Sequence, residues 1–354
     1  MHPFVHQQLP ARVVFGLGAA GRVAHEVDRL RLGRILLIST ASGKAVADDA
    51  AAALGPRVVA RIAEVRQHVP EEDVARAVEL ARGSAADGLV AIGGGSAIGL
   101  AKAVALSLAV PILVVPTTYA GSELTPIYGI TAGGHKRTGR DLRVLPSTVI
   151  YDPVLTVGLP APATAASGMN ALAHCVEALY DPDASPIVAL LAVEAIRALA
   201  RGVPSSVATP DDLAARSDAL YGAYLAGAVL AVTQVGLHHR LSHVLGGTYG
   251  LPHAGVHSAV LPHVARFNAP AAPEAMRRIA VALGAGDAAG GIFDFAVQVG
   301  APTSLAGLGM DPSRLPEAAA LAAAEVTWNP RPVTADELLP VLVDAYEGRR
   351  PARS

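Results

Sequence analysis

"GLVAIGGGSAIGLAKAVALSLAVPILVVPTT", Gly88–Thr118, sets two unbroken apolar runs on either side of a glycine cluster and an alanine-rich stretch. Residues 88–93 show no polar alternation, so a strand here is buried on both faces. Gly93, Gly94 and Gly95 turn the chain, and the composition from Ser96 is helical as far as Pro111. "PILVVPTT" is a second strand of the same kind. Strand, glycine turn, helix and strand make the repeating unit of a parallel sheet.

The same texture extends outward. "RILLIST" (34–40) and "RVVARIAEV" (57–65) read as strands, and "GKAVADDAAAAL" (43–54) and "EEDVARAVELARGS" (71–84) as helices, the second entered through Pro70. "PSTVIYDPVLTVGLP" (146–160) closes this half, its prolines marking a boundary. Beyond it the pattern changes to long Ala/Leu helical runs at 164–180, 186–202, 211–235, 239–248, 273–284, 287–299 and 313–325. The expected organisation is an α/β dinucleotide-binding domain over 1–155 and an all-helical substrate and catalytic domain over 156–354.

Composition narrows the function classes. The chain has 354 residues, is 52% hydrophobic and carries a formal net charge of −2, so it offers no basic footprint for nucleic acid or for a membrane surface. Lys44, Lys102 and Lys136 are its lysines, and Cys175 is its one cysteine, which excludes an intramolecular disulfide and suits a reducing compartment. "MHPFVHQQLPARVVFG" lacks the pattern of a signal peptide. The apolar run 219–237 runs into a histidine-rich stretch without cationic anchors and reads as a buried core helix. A cytoplasmic protein is expected.

Two loops carry the features of a nucleotide site. Gly93, Gly94, Gly95 and Ser96 let a ligand approach the backbone at a helix start, where free N–H groups attract anionic oxygens. "PTTYAGSE" (116–123) also follows a buried strand and offers Thr117, Thr118, Gly121 and Ser122. Small polar loops at the ends of parallel strands form a dinucleotide crevice, although the glycine spacing is not that of a Rossmann fingerprint. The first strand ends in Ser39 and Thr40, with no acidic residue to hold a ribose 2′-hydroxyl and repel a 2′-phosphate. Either NADH or NADPH is therefore expected as cofactor.

Histidines mark the second half. In "SGMNALAHCVEALY" (167–180), Asn170 and His174 are four apart and share a helix face; an Asp at 170 would make them half of a metal site. In "GLHHRLSHVLGGTYGLPHAGVHSAVLPH" (236–263), His239 and His243 are again four apart, and Pro252 presents His253 at the start of the next element. These three imidazoles can converge on one pocket, whereas His238, His257 and His263 read as core or surface residues.

The order "GGGS", "TTYAGSE", Asn170 with His174, then His239, His243 and His253, resembles the iron-containing alcohol dehydrogenase family over nearly the whole chain. That resemblance implies a dehydroquinate synthase-like fold and a homodimer. It also implies that metal-dependent members bind their ion at the positions of Asn170, His174, His239 and His253, with His243 close to the reacting atoms. Asn170 departs from the Asp of those members, and so does Gly99 after "GGGS". Together with "GGGSAIGLAKA", "PTTYAGSELTPIYGIT", "GGHKRTGRD" and "NPRP", these departures resemble one branch, the maleylacetate reductases.

That branch implies reduction of the C=C bond of maleylacetate to 3-oxoadipate in the breakdown of aromatic compounds, with chloride loss from chlorinated substrates. Hydride arriving at the alkene carbon β to the ketone leaves a delocalised enolate, which hydrogen-bond donors can stabilise without a metal. No metal is expected. His243, His253, His239, His174 and Asn170 are the candidate catalytic residues, with Lys136 on a polar loop as a cationic partner for the dicarboxylate. A metal-dependent alcohol or aldehyde dehydrogenase, or a reductase of another unsaturated oxo-acid, stands as the alternative.

Overall fold

In the computed structural model, which describes residues 4–9, 11–133 and 135–352 apart from the side chains of His135 and Lys136, the chain divides into two compact units. The first is Gln8–Leu159. Its strands are β1 (Arg12–Phe15), β2 (Ile35–Ser39), β3 (Val58–Ile62), β4 (Gly88–Gly93), β5 (Ile112–Pro116), β6 (Ile127–Ala132), β7 (His135–Arg140) and β8 (Thr148–Tyr151). Its helices are α1 (Val23–Arg29), α2 (Lys44–Leu54), α3 (Glu71–Gly83) and α4 (Gly95–Leu108).

Six strands pair in parallel in the order β1-β8-β5-β4-β2-β3. Every residue of β2, β4, β5 and β8 is buried, as the unbroken apolar runs require of strands covered on both faces. The register sets Gly93 of β4 beside Pro116 of β5, so the two loops singled out above leave neighbouring strands at the same edge.

"GGHKRTGRD" is not the polar loop expected of it. Residues 135–140 form β7, antiparallel to β6, with Tyr128 opposite Gly139 and Thr131 opposite Lys136. The segment lacks the apolar alternation by which strands were read, because a two-stranded hairpin outside the main sheet has little core to face.

The second unit spans residues 160–352 and includes residues 4–7. It holds α5 (Ala161–Tyr180), α6 (Pro186–Ala208), α7 (Leu213–Leu230), α8 (Leu237–Tyr249), α9 (His253–Asn268), α10 (Pro273–Leu283), α11 (Ala288–Gln298), α12 (Leu315–Glu325) and α13 (Ala335–Glu347). Leu159/Pro160 divides the units four residues beyond the expected 155/156, and the first residues belong with the helices: His6 Nδ1 lies 2.9 Å from Oγ of Ser185, which caps α6.

The apolar run 219–237 is interrupted between α7 and α8. Residues 273–298 have the length and hydropathy of a membrane span, but Gly284, at φ +67°, ends α10 before α11 begins. α6 and α7 pack closely because Gly202 has no side chain; a Cβ there would lie 2.2 Å from the backbone nitrogen of Ala219. A core formed by α8, α9, α12 and α13 buries Leu241, Val260, Leu338 and Leu342 completely.

Candidate active site

In the α/β unit, three strand ends meet. Gly93 has φ +142°, and a Cβ on it would come 2.7 Å from Thr40 Oγ1. A Cβ on Gly94 would come 3.0 Å from Thr118 Cγ2, and Thr117 N donates to Gly93 O at 3.1 Å. Thr40, Gly93, Gly94, Thr117 and Thr118 are thus brought together, with Gly95 and Ser96 opening α4. Ser39 is buried within β2, whereas Thr40 is half-buried with its Oγ1 3.1 Å from Ser42 Oγ.

Beneath the second loop lie two buried ionisable side chains, Lys102 and Glu123. Lys102, on α4, donates from Nζ to the carbonyls of Ser122 (2.6 Å), Thr125 (2.7 Å) and Ile127 (2.9 Å). Tyr151 donates its hydroxyl to Glu123 Oε1 at 2.7 Å. Burial draws Lys102 down to about 7 and pushes Glu123 up, while each charge opposes the other's shift. Gly121 (φ +79°) and Ser122 sit on the segment this lysine ties down. Gly99 packs under Val69: a Cβ would meet Val69 Cγ2 at 2.7 Å, so a side chain there would require Val69 to shift.

In the helical unit, Asn170 and His174 come from α5, His239 and His243 from α8, and His253 from the first position of α9. The His174 and His239 rings stack at 5.1 Å with 15° between their planes. His243 stacks on His253 at 6.0 Å and 11°, and lies edge-on to His239 at 6.4 Å. His174 and His239 are buried, Asn170 is half-buried, and His243 and His253 are exposed. The set therefore grades from a buried end to an open one. Lys136 lies on β7, but its side chain is outside the described residues.

Three further residues complete the cluster. Glu177, buried on α5, accepts hydrogen bonds from Gly236 N (3.1 Å), His238 N (2.9 Å) and His239 Nδ1. Its carboxylate caps the amino end of α8 and fixes the tautomer of His239, because a carboxylate only accepts. Gly236 permits this approach; a Cβ would stand 3.2 Å from Glu177 Oε1. Glu177 falls three residues after His174 and seven after Asn170. That spacing puts it on their helix face, which was the available signal. His238 and His257, read as background, join the cluster: His238 Nε2 lies 2.8 Å from His257 Nδ1, and His257 Nε2 lies 3.2 Å from His253 Nε2. Burial, reinforced by neighbouring imidazoles, holds His174, His238 and His257 well below the usual histidine range. His263 lies apart, facing Asp344.

The family profile described as iron-containing alcohol dehydrogenase matches residues 10–153, and the C-terminal profile of the same family matches residues 164–346. The chain belongs to the iron-containing alcohol dehydrogenase family. Among similar members, the maleylacetate reductase of Sphingobium indicum is 51% identical, with 98% of this chain and 99% of that protein covered. The maleylacetate reductase of Burkholderia cepacia is 49% identical, at 99% and 100% coverage. The crystal structure of maleylacetate reductase from Rhizobium sp. strain MTP-10005 superposes with a TM-score of 0.96 at 46% identity, covering 99% of this chain and 100% of that one. The family fold, a parallel-sheet unit followed by a helical unit, is the one described above.

The family name raises the question of iron, and the donors present do not fit it. A neutral amide, Asn170, stands where a charged oxygen would be needed. His253 turns Nε2 to His257. Among the described residues, no group of three or more His, Cys, Asp or Glu side chains is placed to hold a metal ion.

Proposed function

We propose that this oxidoreductase reduces the C=C bond of maleylacetate to 3-oxoadipate, with hydride from NADH or NADPH and without a metal. The observation that carries the reading is full-length similarity to maleylacetate reductases combined with Asn170 in a cluster of imidazoles. A bound nicotinamide would supply hydride to the alkene carbon β to the ketone; the C=C π pair would move toward the ketone oxygen, and a proton would add to the adjacent carbon. The charge that develops is spread over an enolate, a demand that hydrogen-bond donors meet. His243 and His253, at the open end of the cluster, stabilise the oxygen and supply the proton, while His174, His239 and Asn170 shape the pocket. Lys136 offers a cation to one substrate carboxylate.

Thr40, the Gly93–Ser96 turn and the Thr117–Ser122 loop would hold the cofactor. No acidic side chain follows β2 to repel a 2′-phosphate, so NADH and NADPH both serve. The same reading has the enzyme cytoplasmic and homodimeric, with a small dicarboxylate as ligand and neither nucleic acid nor membrane as partner.

NADH oxidation by maleylacetate in the presence of EDTA tests the activity. Turnover unaffected by the chelator is expected; activity lost and then restored by Fe²⁺ or Zn²⁺ would favour a metal-dependent alcohol oxidoreductase. For the cofactor, kcat/KM with NADH and NADPH should differ by less than roughly a thousandfold, about 4 kcal/mol.

A further inference from the structure

Three imidazoles follow one another from the exposed start of α9 into the core. His253 Nε2 faces His257 Nε2 at 3.2 Å, and His257 Nδ1 faces His238 Nε2 at 2.8 Å. His257 and His238 are fully buried, and the inner end of the line, His238 Nδ1, has no hydrogen-bond partner among the described residues. A neutral imidazole carries one N–H and one lone pair. The line therefore has two fully bonded arrangements. In one, His238 Nε2–H donates to His257 Nδ1, His257 Nε2–H donates to His253 Nε2, and a bare lone pair is left on His238 Nδ1. In the other, each proton points inward and His238 Nδ1–H ends in the core without an acceptor. Orphaned buried N–H groups are the rarer defect in folded proteins. The first arrangement wins.

We propose that His257, backed by His238, is a positioning residue that fixes His253 with its proton on Nδ1, as a hydrogen-bond donor toward the substrate oxygen. The proposal rests on the reductase reading above and divides roles that it left joined. His253 stabilises the developing enolate by donation, and the proton that reaches carbon comes through His243, stacked beside it. α8 leaves space along this edge, because a Cβ on Gly246 would sit 3.5 Å from His253 Nδ1. The line is a brace and not a proton wire, since its inner end has no group with which to exchange a proton.

Long-range ¹H–¹⁵N correlation of histidine-labelled, substrate-free protein reads the tautomer directly, with the His253 signals assigned by their loss in His253→Gln. A protonated Nδ1 and an unprotonated Nε2 are expected; a proton on Nε2 overturns the proposal. Steady-state kinetics with maleylacetate and NADH supply the second arm. His257→Phe, which keeps the ring shape and loses both bonds, should lower kcat by on the order of tenfold or more with little change in KM. His257→Gln, whose amide can accept from His238 and donate to His253, should recover most of that loss. Unchanged kcat in His257→Phe, or equal loss in both variants, overturns the proposal. The resonance experiment needs no substrate, so its outcome stands apart from whether maleylacetate is the natural one.

Discussion

Glu177 shows how much one side chain decides. It receives two backbone N–H groups at the start of α8 and the Nδ1 proton of His239, so one carboxylate sets both a helix end and a ring orientation. Replacement by Gln halves the acceptor capacity and removes the charge that suits a helix amino terminus. Glu177→Gln should lower kcat by roughly tenfold and destabilise the fold by about 1–3 kcal/mol, the cost of an unsatisfied buried group. Steady-state kinetics and urea unfolding measure the two effects. A variant with full kcat and reduced stability would make Glu177 a helix cap only.

At the scale of elements, the second nucleotide loop is held by α4 rather than by its own residues. Lys102 gathers the carbonyls of Ser122, Thr125 and Ile127, and an apolar substitute loses all of these bonds. Lys102→Met should cost about 1–3 kcal/mol of stability, because buried carbonyls lose their donor. It should also raise the KM for NADH, since the Thr117–Ser122 segment loses its anchor. Denaturant unfolding and NADH titration check both. Equal NADH affinity in the variant would separate the anchor from the cofactor.

For the whole molecule, the buried histidines set the response to acid. His263 is held down at about 4 by burial against an ordinary 6.5, with Asp344 opposing the shift, and His174, His238 and His257 are displaced in the same direction. Between those values the unfolded chain binds protons that the folded chain refuses, so stability rises with pH across this window and is lost as pH falls through it. His263 alone is worth about 3 kcal/mol by this linkage. The melting temperature should therefore begin to fall below about pH 6.5. The paired carboxylates Glu26 and Asp73, whose proton affinity is lowered by Arg12 and Arg66, give way only at lower pH. Calorimetry as a function of pH measures this, and His263→Phe should shallow the slope. A melting temperature flat from pH 7 to 5 would contradict it.

Sequence alone determined the parallel sheet, the helical second half and the glycine and threonine loops. Buried strands and amphipathic helices write their periodicity locally, and turns need particular residues. It also singled out Asn170, His174, His239, His243 and His253, because four-residue spacing on a helix is a local fact. Only the tertiary structure decided that Glu177 serves His239, that His238 and His257 brace His253, and that Lys102 ties down a loop 20 residues away. It likewise turned "GGHKRTGRD" from a loop into a strand. Those contacts join helices and strands whose separation along the chain carries no periodic signal, and a buried polar side chain finds its partner only when packing brings the partner near.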